Sequence, residues 1–269
     1  MRKIWIFLLL LMLMTACNFP LSQDNNFDDR VSTQAALAFT QTAMQNQYAI
    51  STITLQPTSS APTVTPTSEH ANPKNDLGNA TWTDPINSGS SFGLGNDVET
   101  IEGTNASVWV ENGAFHLYRS SASGGYIWYC SYPNISDFYL EAKFTVQNCN
   151  GSDEYGLTFR KPDFGDKTGY YFAVTCDGTF NLMRWINGDS TLLGEWTSSD
   201  LFNKGTDATN TLGVWAEGNL FKLYINDQFA AEFTDKSAIR SGYFGLYSNP
   251  QQTAGLTVLM DEVSYWNLP

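Results

Sequence analysis

Flat aromatics, arginines, paired carboxylates and cysteines are the side chains in this sequence whose types and spacing bear on chemistry. Seven of the eight tryptophans lie beyond residue 17, and Tyr and Phe are abundant. Flat rings stack on ring-shaped ligands, so Trp185, Trp215, Tyr171 and Tyr224 are candidate ligand-binding residues, although core packing is the competing role of any aromatic. Arg160 and Arg184 can supply paired donors to hydroxyls or to a carboxylate, with a surface ion pair as the alternative. Hydrolysis of a glycoside with retention needs two carboxyls about 5 Å apart. The nearest pairs, Asp153-Glu154 and Asp261-Glu262, are adjacent in sequence. On an extended strand they point to opposite faces, so no catalytic residue is assigned. A zinc site needs clustered Cys and His. His70 and His116 are the only histidines, which makes zinc a poor reading.

These groups sit on three consecutive segments. Arg2 and Lys3 precede an apolar run from Ile4 to Met14, and small residues lead to Cys17. That is the pattern of an export signal, and the run is too short to span a bilayer. Met14-Thr15-Ala16-Cys17 resembles the lipobox of bacterial lipoproteins, with Met where Leu is commoner. The resemblance implies cleavage after residue 16 and lipidation of Cys17, which would anchor the chain in a membrane and expose the rest outside the cytoplasm. Residues 17–76 read as a lipid-anchored tether. Within it, 31–48 suit one short helix, and 55–73 form a Pro/Thr/Ser-rich spacer that cannot bury enough apolar surface to fold. The formal net charge is -13, with no basic block after Lys3. Nucleic acid is therefore excluded as a partner.

Residues 77–269 alternate short β-rich runs with turn residues. Ser107–Val110 leads through Asn112-Gly113 into Ala114–Tyr118, a hairpin signature. Similar runs start at Tyr126, Phe138, Tyr155, Tyr170, Phe180, Thr211, Leu220, Phe229, Ser241 and Leu256, separated by Asp177-Gly178, Asn187-Gly188, Glu217-Gly218-Asn219 and Asn226-Asp227. The pattern predicts an all-β, two-sheet antiparallel jelly-roll sandwich. Alternation turns Leu157, Phe159, Phe172, Val174, Leu212 and Val214 inward. It leaves Thr158, Arg160, Tyr171, Trp215 and Tyr224 outside, which is compatible with one row on one outer face. Outside the cytoplasm disulfides persist. A meander from Phe138 to Cys176 brings Cys149 and Cys176 to the same edge of the sheet, which predicts a bridge between them and leaves Cys130 as a buried thiol.

The stretches Cys149 to Gly178 and Thr209 to Asp235 resemble the concanavalin A-like lectin/glucanase superfamily, together with Phe244–Tyr247 and Leu259–Val263. The nearest likeness is to domains labelled 3-keto-disaccharide hydrolase or family-16-like. The resemblance implies a jelly roll whose commonest role is carbohydrate binding. The Glu-x-Asp-x-x-Glu set of its hydrolases does not occur here. It also admits a structural Ca2+ near Asp261, while no cofactor is required. Three expectations follow: a cell-surface module that binds carbohydrate without catalysis, a glycoside-acting hydrolase, or a structural or sensory ectodomain contacting envelope proteins.

Overall fold

A computed structural model of the chain describes residues 71–269, apart from Asn96, Gly124 and Ala238. The signal peptide, Cys17, the 31–48 helix and nearly all of the spacer lie outside the described residues. A single helical turn, α1 (Lys74–Leu77), precedes sixteen strands. They are β1 (Trp82–Asp84), β2 (Glu99–Thr100), β3 (Ala106–Glu111), β4 (Ala114–Arg119), β5 (Ile127–Ile135), β6 (Phe138–Gln147), β7 (Glu154–Lys161) and β8 (Gly169–Thr175). β9 (Thr179–Ile186), β10 (Asp189–Leu192), β11 (Thr197–Ser198), β12 (Ala208–Glu217), β13 (Leu220–Ile225), β14 (Gln228–Thr234), β15 (Gly242–Asn249) and β16 (Leu256–Asn267) follow.

Among the described residues the strands form two antiparallel sheets. Sheet 1 has the order β14-β13-β12-β6-β16-β4-β3-β2, with β1 also on β16. Sheet 2 has the order β10-β9-β8-β7-β15-β5, with β11 also on β9. Every expected strand is present. β1, β2, β10 and β11 were not foreseen, because they span two to four residues and carry no apolar alternation. The Asn-Gly hairpins form as read: Asn112 and Gly113 have φ of 52° and 76°, and Asn187 and Gly188 have 52° and 89°. Both positions of such a turn need positive φ, which Asn and Gly adopt at least cost.

One core lies between the sheets. Phe138, Leu140, Phe144, Val214 and Phe221 of sheet 1 meet Leu157, Phe159, Phe172, Leu182 and Phe244 of sheet 2. Cys149 and Cys176 are bridged, with Cα atoms 5.6 Å apart. The pairing is the expected one but its geometry is not. β6 belongs to sheet 1 and β8 to sheet 2, so the bridge ties the two sheets together at the rim instead of closing one sheet's edge. Beside it, Asp153 Oδ1 accepts the backbone N–H groups of Gln251, Gln252 and Thr253, and Oδ2 accepts that of Asn150. Cys130 is buried and has no disulfide partner among the described residues, and burial pushes its thiol up to about 12.

The folded unit begins earlier than position 77. Asn72 Nδ2 donates to Glu141 and Asp227, and Lys74 Nζ reaches the same carboxylates at 3.0 and 2.6 Å. Trp266 Nε1 donates to the Gly78 carbonyl. Residues 71–78 therefore lie as a strap on the outer face of sheet 1.

Candidate functional site

Strand register determines which outward side chains share a face. On sheet 1, Trp266, Tyr139, Trp215 and Lys222 stand in one cross-strand row, with Ser264, Glu141, Gly213 and Tyr224 in the next. On sheet 2, Met183, Tyr171, Thr158, Gly245 and Cys130 form one outward row, and Asn181, Ala173, Gly156, Tyr247 and Trp128 the next. The expected single row of Thr158, Arg160, Tyr171, Trp215 and Tyr224 is thus divided. Tyr171 and Thr158 lie on one side of the sandwich, Trp215 and Tyr224 on the other.

Arg160 leaves both faces. It has φ +49°, at the position where β7 slips register against β15. The slip breaks the period-two alternation. Its guanidinium lies over Phe138 and Phe221 of the opposite sheet and donates to the Ser136, Gly218 and Ile239 carbonyls and to Asp137. Four of its five N–H donors are committed to the protein and its side chain is fully buried, which makes it a rim brace. Arg184 is similarly committed, at 2.6 and 2.8 Å from the two oxygens of Asp235, which also accepts from Tyr170. Tyr224 is buried against Tyr139 and Phe229, under the strap. Trp215 is partly covered and borders a cavity of about 200 Å³ walled by Ala71, Pro73 and Leu77 of the strap. Asp261 sits in a bulge of β16, and Lys143 Nζ is 2.8 Å from its carboxylate. An ammonium in that place does not fit a Ca2+ cage. Among the described residues no group of three or more His, Cys, Asp or Glu is placed to hold a metal.

Sheet 2 carries the richer constellation. Both faces of β7 and β8 are buried, although only one faces the core. Tyr171 and Tyr247 are fully covered, and Tyr126 and Trp185 lie against them. Tyr126 stacks on Tyr247 at 5.8 Å and meets Trp185 and Tyr171 edge-on. Its hydroxyl donates to Glu154 Oε2 at 3.1 Å. Burial holds the Glu154 carboxyl above the usual carboxylate range, against the hydrogen bonds from Asn249 and Tyr126.

Next to this cluster, at the free edge of β5, a cleft of about 340 Å³ opens between Trp128, Tyr129 and Tyr132 on one side and Phe92, Ile101 and Phe164 on the others. Tyr132 is 57% exposed and Phe164 41%, both large values for aromatic rings. The cleft is braced. Trp128 Nε1 donates to the Phe164 carbonyl at 2.7 Å, and the Phe164 ring stacks on Tyr243 at 4.0 Å. Behind Trp128, the fully buried Lys161 places its ammonium 4.3 Å from the Trp128 ring centre. Lys161 donates to the Asp166 and Thr168 carbonyls and to Tyr171. Burial pushes that lysine down to about 8. The ammonium holds the 162–168 loop, and so Phe164, in a fixed place. Ring platforms held this way lose little freedom when a ligand stacks on them.

Tyr126, Tyr132, Glu154, Phe164 and Tyr247 were not among the expected site residues. Trp128, Cys130 and Tyr132 alternate along β5 and Tyr126 continues that spacing just before it, and that period was the signal available for two of them. Phe164 had none, because its loop is placed by Lys161 and Tyr243.

No family model matches the chain, and no curated protein matches it. Solved structures do match. A Bacillus subtilis protein of unknown function with a galectin-like fold has 10% identity and a TM-score of 0.53 over 71% of this chain and 96% of that one. A native glycosidic hydrolase has 13% identity and a TM-score of 0.51 over 70% and 96%. The β-glucanase of Bacillus licheniformis has 11% identity and a TM-score of 0.50 over 71% and 99%. At these identities the likeness is one of fold, and it agrees with the sheet order above: the described domain is a two-sheet antiparallel jelly-roll sandwich.

Proposed function

We propose that the chain is a lipid-anchored, extracytoplasmic module that binds carbohydrate without hydrolysing it, using the outer face of sheet 2 and its β5 edge. The observation that carries this reading is the braced cleft where Tyr132 and Phe164 expose their rings beside Trp128. Sugar rings present apolar C–H faces that stack on such platforms, and exposed aromatic faces are otherwise costly on a soluble domain. Two of the similar structures are described as a glycosidic hydrolase and a β-glucanase, which agrees with a carbohydrate ligand.

The carboxylates favour binding over hydrolysis. Asp153 is spent on four backbone N–H groups, while its neighbour Glu154 turns outward to Tyr126. Asp261 is neutralised by Lys143. Neither sequence-adjacent pair presents two free carboxyls to one ligand. The lipobox at Cys17 and the spacer supply the anchor and the reach in this reading.

Glycan-array binding by residues 18–269 tests the proposal. Binding to at least one neutral glycan is expected, with loss of about tenfold or more in affinity, roughly 1.4 kcal/mol, on Tyr132→Ala or Phe164→Ala. No binding to any glycan, or binding indifferent to both substitutions, would sink it.

A further inference from the structure

The cluster beside the cleft contains more polar groups than it satisfies. Trp185 Nε1, Tyr247 Oη and Asn181 Oδ1 are buried without a hydrogen-bond partner among the described residues. All three belong to outward positions of β9 and β15, on the face where Tyr126 lies. A buried donor or acceptor left unpaired keeps its full desolvation penalty, so three on one face call for a reason. Tyr126 is the outermost member of the cluster. It is partly exposed, whereas Tyr171 and Tyr247 beneath it are fully covered. It comes from the connection before β5 and not from the sheet proper. Arg119 Nη1 donates to the Gly125 carbonyl at 3.0 Å, which ties down the backbone beside Tyr126.

We propose that the Tyr126 ring is an internal substitute for a sugar ring, filling a subsite walled by Trp185, Tyr171 and Tyr247 and closed at its polar end by Glu154. The inference rests on the carbohydrate-binding reading above and adds a regulated second position to it. Rotation of Tyr126 about χ1 exposes the Tyr247 face for stacking. A ligand hydroxyl then takes over the bond that the Tyr126 hydroxyl makes to Glu154. Trp185 Nε1 and Tyr247 Oη donate to ring and hydroxyl oxygens, and Asn181 Oδ1 accepts from a hydroxyl. The ligand class is a neutral, polyhydroxylated ring. An acidic sugar would set a second carboxyl beside Glu154, and two carboxyls sharing a site oppose each other's ionised form.

The contacts of Tyr126 compete with the ligand, so the closed form lowers apparent affinity by the fraction of time the ring is in place. Titration of residues 18–269 with maltose, cellobiose, lactose and sucrose, read by tryptophan fluorescence and by calorimetry, tests this. Tyr126→Ala is expected to bind at least one of these about tenfold more tightly than the unsubstituted chain, with a change in Trp185 emission that Trp185→Phe removes. Tyr126→Phe keeps the ring but cuts the bond to Glu154, and a gain of about threefold is expected; it also preserves the packing should Tyr126→Ala fail to fold. If Tyr126→Ala and Tyr126→Phe bind no more tightly than the unsubstituted chain while Tyr132→Ala still abolishes binding, the inference falls and the carbohydrate reading stands. If no form binds any sugar, both fall. Glucuronic acid binding more tightly than glucose to Tyr126→Ala would overturn the assigned ligand class.

Discussion

The two outer faces of the sandwich are built on different principles. Sheet 1 mixes aromatics with charges: Tyr139, Trp215 and Trp266 alternate with Glu141, Lys143, Lys222 and Glu262, and the chain's own strap crosses them through a latch of Lys74 and Asn72 on Glu141 and Asp227. Sheet 2 is buried on both sides of its central strands, and what covers its outer side is a layer of rings with polar atoms among them that have no partner among the described residues. A mixed face tolerates water and needs only a light ionic strap. An apolar face with unsatisfied donors is suited to a ligand that is itself part apolar and part hydroxyl. The two lysines show the contrast most directly. Lys74 is held above its ordinary value: burial opposes this, but the bonds to Asp227 and Glu141 outweigh it. Lys161 is pushed below its ordinary value by burial.

The largest effect should come from emptying the sheet 2 layer. Tyr247→Ala or Tyr171→Ala is expected to cost about 3–5 kcal/mol in urea unfolding, the range for a buried ring, whereas Trp215→Ala on sheet 1 should cost about 1 kcal/mol. Equal costs would break the comparison. The disulfide is the place where the faces should not differ. Its 27-residue separation corresponds to about 3.5 kcal/mol in the chain-entropy picture, so Cys149→Ala with Cys176→Ala should lower the midpoint without preference for probes on either face.

The lysines should respond to pH with opposite sign. A lysine with a depressed value in the folded state loses its proton on folding between about pH 8 and 10.5. The unfolded chain then binds more protons, so stability from Lys161 rises across that window, by on the order of 3 kcal/mol. Lys161→Met should abolish that rise when its pH profile is subtracted from that of the unsubstituted chain, and an unchanged slope would refute the assignment. For Lys74, raised in the folded state, the contribution is complete below pH 10.5 and is lost as pH climbs through the folded value. Because the latch is part-exposed, Lys74→Met should cost only about 1 kcal/mol at pH 7, and less in 1 M salt. The smallest effect is expected of Tyr247→Phe. Its hydroxyl has no partner to lose, so stability should be unchanged or slightly raised. A loss above about 1 kcal/mol would show that the hydroxyl is satisfied.

Much of the fold was legible because its signals are local. Asn112-Gly113 and Asn187-Gly188 dictate tight hairpins, and the alternation of Leu157 with Phe159, or Val214 with Ala216, marks the buried side of a strand. The site was far less legible. Arg160 looked outward by counting alternate residues, but a bulge turned it into the rim; Asp261 lies at a second bulge, with the Lys143 ammonium at its carboxylate. Trp215 and Tyr224 did point outward, onto a face that the strap covers.

The sequence by itself determined the longer strands, their turns and the two-layer class, because each depends on neighbours a few residues away or on a pattern of period two. The tertiary structure alone decided which outward rings share a face and which remain open. Coverage depends on strand order, on bulges that reverse the period, and on contacts across long separations, such as Lys74 with Asp227 or Trp128 with Phe164. No local pattern encodes those.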